Sequence, residues 1–542
     1  MNLKLVIDFF NKYSNAPKVK IALFSLMAGI SYAMALASIN SMMKHVTDGN
    51  DSVKIHLLVL FVISGLLHIY FKRFSVNNGT IAAENVVRNV KVAITQKIRK
   101  SELLVIENME KGTLYNRLTE STDVISQAAP PLFLAMEALF SLFAILCYII
   151  YLSFTGFLLI ASIAVMMFFS YSRRIRFAME KLKQSEVQEE ALFGHLNDVI
   201  GGFKEIRINY KKNRDVFADI ESISKETALQ KTAASTAIDN SLVVLILTYF
   251  IILIGVIFIL PVLGISEKDT ITSLVASLLF LWGPMVMVFI LSRQFTLLRN
   301  SIKNINDLDA KLDNPKPELL RHPPAPSDFT EIAFNGVEFC YRNGEGEILF
   351  KVGPIDLSFV KGEVVFITGG NGSGKSTLMK LLTGLYYPEP GGYVTLEKQK
   401  ITSTTYPLYR EYFTTIFTDF HIFDKLYGLE DIDEKKVNDL LRKMDINHKT
   451  QYHDNRFTNI QLSTGQRKRI AYISTLMEDK PIHVFDEWAA DQDPEFRKKF
   501  YNLFLDDMRA MGKTVIAVSH DDHYFHTADR IIKMDEGKIV TK

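Results

Sequence analysis

The chain has 542 residues, of which 62 are basic and 60 acidic, giving a formal charge of +2. That length exceeds the usual size of one domain, and the balanced charge excludes the broad basic field of a nucleic-acid binder and any long acidic tail. Hydrophobic residues make up 48% and charged residues 23% of the chain, figures that fit together when the two classes are segregated along it.

They are segregated. Six apolar runs come near the roughly 20 residues needed to span a bilayer, at about 20–43, 54–73, 130–153, 155–172, 240–262 and 270–292. The first follows charged residues and has no small-residue cleavage site, so it reads as a retained helix and not a removed signal peptide. The third and fourth are separated only by Ser153-Phe154-Thr155, which predicts a tight helical hairpin. Lys and Arg alternate in density between the loops. Nine lie between the second and third runs and twelve between the fourth and fifth, against Lys44 and Lys54 in the first alternate loop and Lys268 in the last. By the positive-inside rule both termini and the two long segments are cytoplasmic. Those segments, 74–129 and 173–239, are helical in pattern, so spans two to five are expected to run on beyond the bilayer. Their turns are expected near Lys111-Gly112-Thr113 and Asn209–Arg214.

Inside the spans, Glu137 stands out. A carboxylate near mid-bilayer costs about 2.5–3.5 kcal/mol, so it is expected to face a cavity or a partner. It is a candidate transport-pathway residue, with interfacial pairing as the alternative. Pro284 predicts a kink in the last span, and the pair Gly201-Gly202 is read as a site of close helix packing. The two cysteines, Cys147 and Cys340, have such different surroundings that neither a disulfide nor a metal cluster is expected, and both read as small buried residues.

From Asp313 to Ser327 five prolines break any helix and mark a linker. A membrane domain over 1–312 and a nucleotide domain over 328–542 are expected on either side. In the latter, β-branched runs alternate with helical stretches, the pattern of an α/β domain with a largely parallel sheet. Its centre is Gly369-Gly370-Asn371-Gly372-Ser373-Gly374-Lys375-Ser376-Thr377, which fits G-x-x-x-x-G-K-[ST] between an apolar strand and a helix. Glycines let successive N–H groups converge on one anion, the helix start adds partial positive charge, and Lys375 is placed for the β- and γ-phosphates. The loop binds ATP or GTP. Downstream, Pro481 to Glu487 is a mostly apolar strand ending in Asp-Glu. There Asp486 is expected to share Mg²⁺ with the Ser376 hydroxyl, and Glu487 to polarise the attacking water. Between them lies Leu462-Ser463-Thr464-Gly465-Gln466, small residues that open a further helix.

A phosphate loop, then L-S-x-G-Q, then a strand ending in Asp-Glu, then Val518-Ser519-His520, all behind six spans, resembles the ATP-binding cassette (ABC) half-transporters along essentially the whole chain. The resemblance implies a six-span α-helical domain followed by an α/β P-loop ATPase that uses ATP and Mg²⁺. It further implies a dimer with a second copy, in which Ser463, Gly465 and Gln466 of one chain close on the phosphate loop of the other. By the same match Tyr341 stacks on adenine, His520 contacts the γ-phosphate and Asp493 lies at the dimer interface. Thr418 stands where the family usually has glutamine, so its hydroxyl is the candidate substitute toward Mg²⁺. The proline usual after Glu487 is replaced by Trp488. These departures, with Ser519-His520-Asp521-Asp522-His523-Tyr524-Phe525 and Gly202-Phe203-Lys204-Glu205-Ile206, are similar to exporters of cyclic peptides and peptide siderophore precursors, the pyoverdine and syringomycin group. The resemblance thus implies export of a peptide-like or small amphipathic cargo across a bacterial cytoplasmic membrane. Alternatives are a lipid or multidrug exporter, and an ATP-gated channel or regulatory protein, for which degenerate catalytic residues would be expected.

Overall fold

The computed structural model describes residues 3–14, 16–47, 54–109, 111–262, 268–313 and 329–540. It divides into two compact units, one comprising 1–95 with 111–309 and the other 96–110 with 310–542. Apart from Asp313, the expected linker lies outside the described residues.

The first unit is helical. It begins with a short amphipathic helix, Leu3–Tyr13, which buries Val6, Phe9 and Tyr13 and whose Lys12 pairs with Asp309 at 2.7 Å. Six long helices follow that are apolar enough to cross a membrane: Lys18–Thr47, Ile55–Lys100, Lys111–Leu152, Phe154–Gly201, Tyr210–Ile254 and Lys268–Lys311. The fifth continues through a π-helical turn, Gly255–Ile259, to Val262. The four middle helices run far past their apolar cores, as the sequence predicts. The third and fourth are broken only at Ser153, whose side chain accepts from Gly156 N and caps the fourth.

The helices associate as spans must when lipid is as apolar as leucine, through small residues and polar bonds. A Cβ on Gly29 would lie 2.7 Å from the Phe140 backbone. Ser25 Oγ and Ser75 Oγ are 2.6 Å apart and buried. Asn40 Nδ2 lies within 3.3 Å of Ser273 O, Ser277 Oγ and Tyr148 Oη. Glu137, only 4% exposed, accepts from Ser141 Oγ at 2.8 Å and lies 3.1 Å from Lys72 Nζ.

Several local expectations are corrected. Lys111 to Thr113 form the first turn of a helix, where a single glycine costs only about 1 kcal/mol against alanine and does not stop a long helix. The chain instead reverses around Ser101–Asn108, through the short helix Leu103–Glu107. The second turn comes one helical turn earlier than Asn209–Arg214. It holds the helix Phe203–Ile208, and Asn209 already caps the helix Tyr210–Ile254. Gly201 and Gly202 do not permit close packing: nothing approaches Gly201, and Gly202 ends its helix by donating to Asp198 O. Cys147 is exposed and Cys340 half-buried.

The second unit is built on a six-stranded sheet in the order Lys538–Val540, Arg530–Asp535, Val364–Gly369, Thr514–Val518, Ile482–Asp486 and Phe413–Ile416. Every pairing is parallel except the terminal hairpin. Parallel sheets are covered on both faces, and the three central strands are accordingly mostly apolar and almost wholly buried. Val365, Ile367, Val484 and Ile516 point into one core, and Val364, Phe366, Phe485 and Val515 into the other. A four-stranded antiparallel sheet, in the order Ile348–Val360, Glu331–Arg342, Tyr393–Leu396 and Gln399–Lys400, adds to the first core. Leu103 and Leu104 pack against that core, and Glu107 pairs with Lys380 at 2.7 Å and accepts from Tyr386 Oη.

Candidate functional site

In an open α/β sheet, ligands bind beyond the carboxyl ends of the strands. Three neighbouring strands here deliver their ends to one edge. Val518 pairs with Ile367 on one side and Asp486 on the other, so the phosphate loop, Asp486-Glu487 and Ser519-His520 emerge side by side. The loop between strand and helix takes its shape from its glycines. Gly369, Gly372 and Gly374 have φ of +149°, +77° and +99°, and a Cβ on Gly369 would clash with Met534 O. The helix Lys375–Leu382 follows. Lys375 is buried, with its ammonium donating to Gly369 O at 3.0 Å and Gly370 O at 2.9 Å, while Asn371, Gly372 and Ser376 are exposed. Ser373 Oγ is buried without a hydrogen-bond partner. Tyr341 Oη lies 3.1 Å from Thr377 Oγ1, which sets the tyrosine beside the start of this helix.

Asp486 is 1% exposed, and its Oδ2 has no hydrogen-bond partner. Burial pushes its carboxyl above the ordinary carboxylate range, opposed mainly by the Ser376 hydroxyl. A buried, unpartnered carboxylate oxygen beside a serine hydroxyl is an oxygen donor set of the kind a hard cation takes, so these residues fit Mg²⁺. Glu487 follows with φ +51°, the left-handed region. Its Oε1 lies 3.1 Å from His520 Nε2. Thr418 is exposed two residues past Ile416, which pairs with Phe485, so it leaves the sheet at the same edge.

Ser463 caps the helix Thr464–Glu478 in a reciprocal box with Gln466, so that the first turn presents ordered N–H groups. A Cβ on Gly465 would lie 2.6 Å from Asp491 O, so only glycine lets the Asp491–Asp493 loop come this close. Asp493 caps the helix Pro494–Lys499 by accepting from Phe496 N. That bond, then Arg469, holds its carboxyl below the ordinary range. Arg469 donates to Asp493 Oδ2 at 2.7 Å and to Gln492 Oε1 at 3.0 Å.

The family models for the ABC transporter transmembrane region and for the ABC transporter match residues 19–282 and 352–490. The chain is an ABC transporter. It carries the membrane part and the ATPase of the family in one polypeptide. Among relatives, this ABC transporter is similar to the ATP-binding protein SyrD of Pseudomonas syringae pv. syringae. The two are 28% identical over 548 residues, spanning 96% of this chain and 94% of SyrD. A shorter similarity, 29% over 225 residues, joins it to the probable syringafactin export ATP-binding/permease protein SyfD of Pseudomonas syringae pv. syringae (strain B728a). It covers 39% of this chain and 33% of SyfD. The fold is shared with a bacterial Atm1-family ABC exporter solved with ATP bound, at a TM-score of 0.77 and 17% identity over 97% of this chain and 95% of that one.

Within the transporter's ATPase, the structure brings together the phosphate loop, Asp486, Glu487, His520 and Tyr341. Ser463, Gly465, Gln466 and Asp493 form a second cluster, and Glu137 belongs to the other unit. Sequence reading missed the groups that join the two clusters. Lys468 is 2% exposed and donates to Glu487 O at 2.6 Å, with Asp491 Oδ2 at 2.7 Å. Arg497 donates to Ala490 O at 3.0 Å and to Asp521 Oδ1 at 3.3 Å. Tyr501 Oη, 2.7 Å from Ser519 Oγ, also donates to Asp521 at 3.0 Å. The one available signal was charge inside amphipathic helices, which a solvated face explains equally well.

Proposed function

We propose that this ABC transporter is a homodimeric exporter, powered by Mg-ATP, that moves a cyclic or nonribosomal peptide-like cargo out across the bacterial cytoplasmic membrane. The observation that carries the ATPase cycle is the Glu487–His520 pair, 3.1 Å apart beside the unpartnered Asp486 oxygen. Lys375 and the loop amides bind the β- and γ-phosphates, and Tyr341 takes the adenine. Ser376 and Asp486 hold Mg²⁺, with Thr418 a further oxygen on the same edge; when bound, the ion neutralises phosphate charge. Glu487 orients and polarises the attacking water, and His520 holds Glu487 on one side and the γ-phosphate on the other. Each chain has one phosphate loop and one capped Ser463 helix, and among the described residues Ser463 and Gly465 are held by their own helix and the Asp491–Gln492 loop. A second copy therefore supplies Ser463, Gly465 and Gln466 to complete each site, with Asp493 at the joint.

The loop charge asymmetry supports cytoplasmic termini. The resemblance of Thr418, Trp488 and the segment 202–206 to the cyclic-peptide exporters, and the similarity to a probable syringafactin export protein, support the cargo class. For Glu137, first read as a candidate pathway residue, burial and its pairing with Lys72 and Ser141 support the interfacial alternative. Intact Lys375, Asp486, Glu487 and His520 favour a pump over a gated channel. In proteoliposomes, ATP hydrolysis should rise on adding a cyclic lipopeptide. Stimulation by bulk lipid alone would instead favour the lipid-exporter reading.

A further inference from the structure

The geometry points to Lys468 as a positioning residue for Glu487, a role that rests on the assignment of Glu487 above. A lysine is rarely buried unless its ammonium is paired. Lys468 sits at 2% exposure, with two oxygens within 2.7 Å, the Glu487 carbonyl and the Asp491 carboxylate. The bond to Glu487 goes to a backbone that a non-glycine residue adopts rarely, φ +51° and ψ 39°. That conformation turns the chain at the strand end, and Lys468 holds its carbonyl while the carboxylate lies 3.1 Å from His520. The next residue reinforces the hold. Trp488, 1% exposed, donates its indole N–H to Lys468 O at 2.9 Å. Lys468 is thus bound through its side chain to Glu487 and through its carbonyl to Trp488, a two-point clamp. A proline in place of Trp488 could not supply the second point.

The clamp begins on the helix that Ser463 caps, five residues after the cap. The carboxylate that orients water is therefore fixed to the segment that faces the second chain's nucleotide. A shift of that helix on nucleotide contact reaches Glu487 through one ammonium.

The test compares full-length variants in proteoliposomes by ATPase kinetics, equilibrium ATP binding and thermal unfolding. Lys468→Met keeps the stem and removes the donor. It should lower kcat by about tenfold or more, with KM and ATP affinity within about twofold of the parent. Lys468→Arg, which restores a donor, should recover most of the loss. In a Glu487→Gln background, adding Lys468→Met should cause no further loss. A folded Lys468→Met protein with parental kcat, or a loss matched by weakened ATP binding, overturns the proposal. Should Lys468→Met not fold, Trp488→Phe decides, because it keeps an aromatic ring and removes the indole N–H, while thermal unfolding reads the packing lost with the smaller ring. A fall in kcat of about threefold at unchanged KM supports the clamp, and parental kinetics overturn it. If Glu487→Gln itself hydrolyses ATP at the parental rate, the role of Glu487 fails first, which separates the two readings.

Discussion

The two units satisfy buried polar groups in opposite ways. In the membrane unit, hydroxyls mostly bond back to their own helix, as Ser31 does to Met27 O, Thr248 to Val244 O and Ser277 to Ser273 O. Charge there is kept to compact pairs such as Lys72–Glu137. In the ATPase unit, charged side chains reach across elements. Arg469 joins Met444 O to Gln492 and Asp493, two separate segments, and Arg497 ties the Ala490–Gln492 carbonyls to Asp521. A helix in lipid must satisfy its own backbone and leaves little to long-range polar contacts, whereas loops at strand ends have free groups to join. The first arrangement holds a scaffold, and the second makes reacting groups depend on one another.

That contrast can be broken by experiment. The largest effect is expected at the ATPase edge: Glu487→Gln should keep ATP binding and lower kcat by about 10²–10⁴, the usual worth of a positioned base, read by phosphate release. Next, Lys72→Met strands Glu137 in the membrane unit and should destabilise the protein by about 3–5 kcal/mol. The double change with Glu137→Gln should recover most of it, since removing both charges leaves none unpaired. Thermal unfolding in detergent checks both. His483 comes third. It is buried in the strand Ile482–Asp486, and burial lowers its imidazole to about 4. The unfolded chain, with an ordinary pKa near 6.5, takes up the proton first. Stability is therefore full above about 6.5 and falls by about 3 kcal/mol as pH drops from 6.5 to 4, whereas His483→Phe should flatten that slope in acid denaturation. The smallest effect is at Asn40, where Asn40→Ala should cost about 1 kcal/mol because bonds between spans are individually weak. A much larger loss would mean that the membrane unit also relies on a cooperative polar network.

Legibility followed the same divide. The spans could be read because lipid demands long contiguous apolar runs. The phosphate loop, Asp486 and Glu487 could be read because each lies in a short segment with a fixed backbone task, and His520 only through the family resemblance. Lys468 escaped because its partners are 19 and 23 residues away (487 − 468 and 491 − 468), and nothing local marks a lysine as buried. The turn between the second and third spans escaped because Gly112 is a stronger local signal than Ser101-Glu102, where the helix actually stops. Trp488 was visible as a departure from the family. Its purpose became readable only when its indole was seen to bond Lys468 O.

The short helix Leu103–Glu107 has a consequence for biosynthesis. Its partner Lys380 lies 273 residues later in the chain. As the polypeptide emerges N-terminus first, Leu103 and Leu104 leave the ribosome well before the core they pack against has been made. Contacts of such separation form late and slowly, and apolar groups that wait for them are open to mispairing. The ATPase unit therefore covers part of its core with residues that are not contiguous with the rest of it. It completes its surface with a piece supplied by the membrane half, so its final folding step also reports that this segment is present and available for docking.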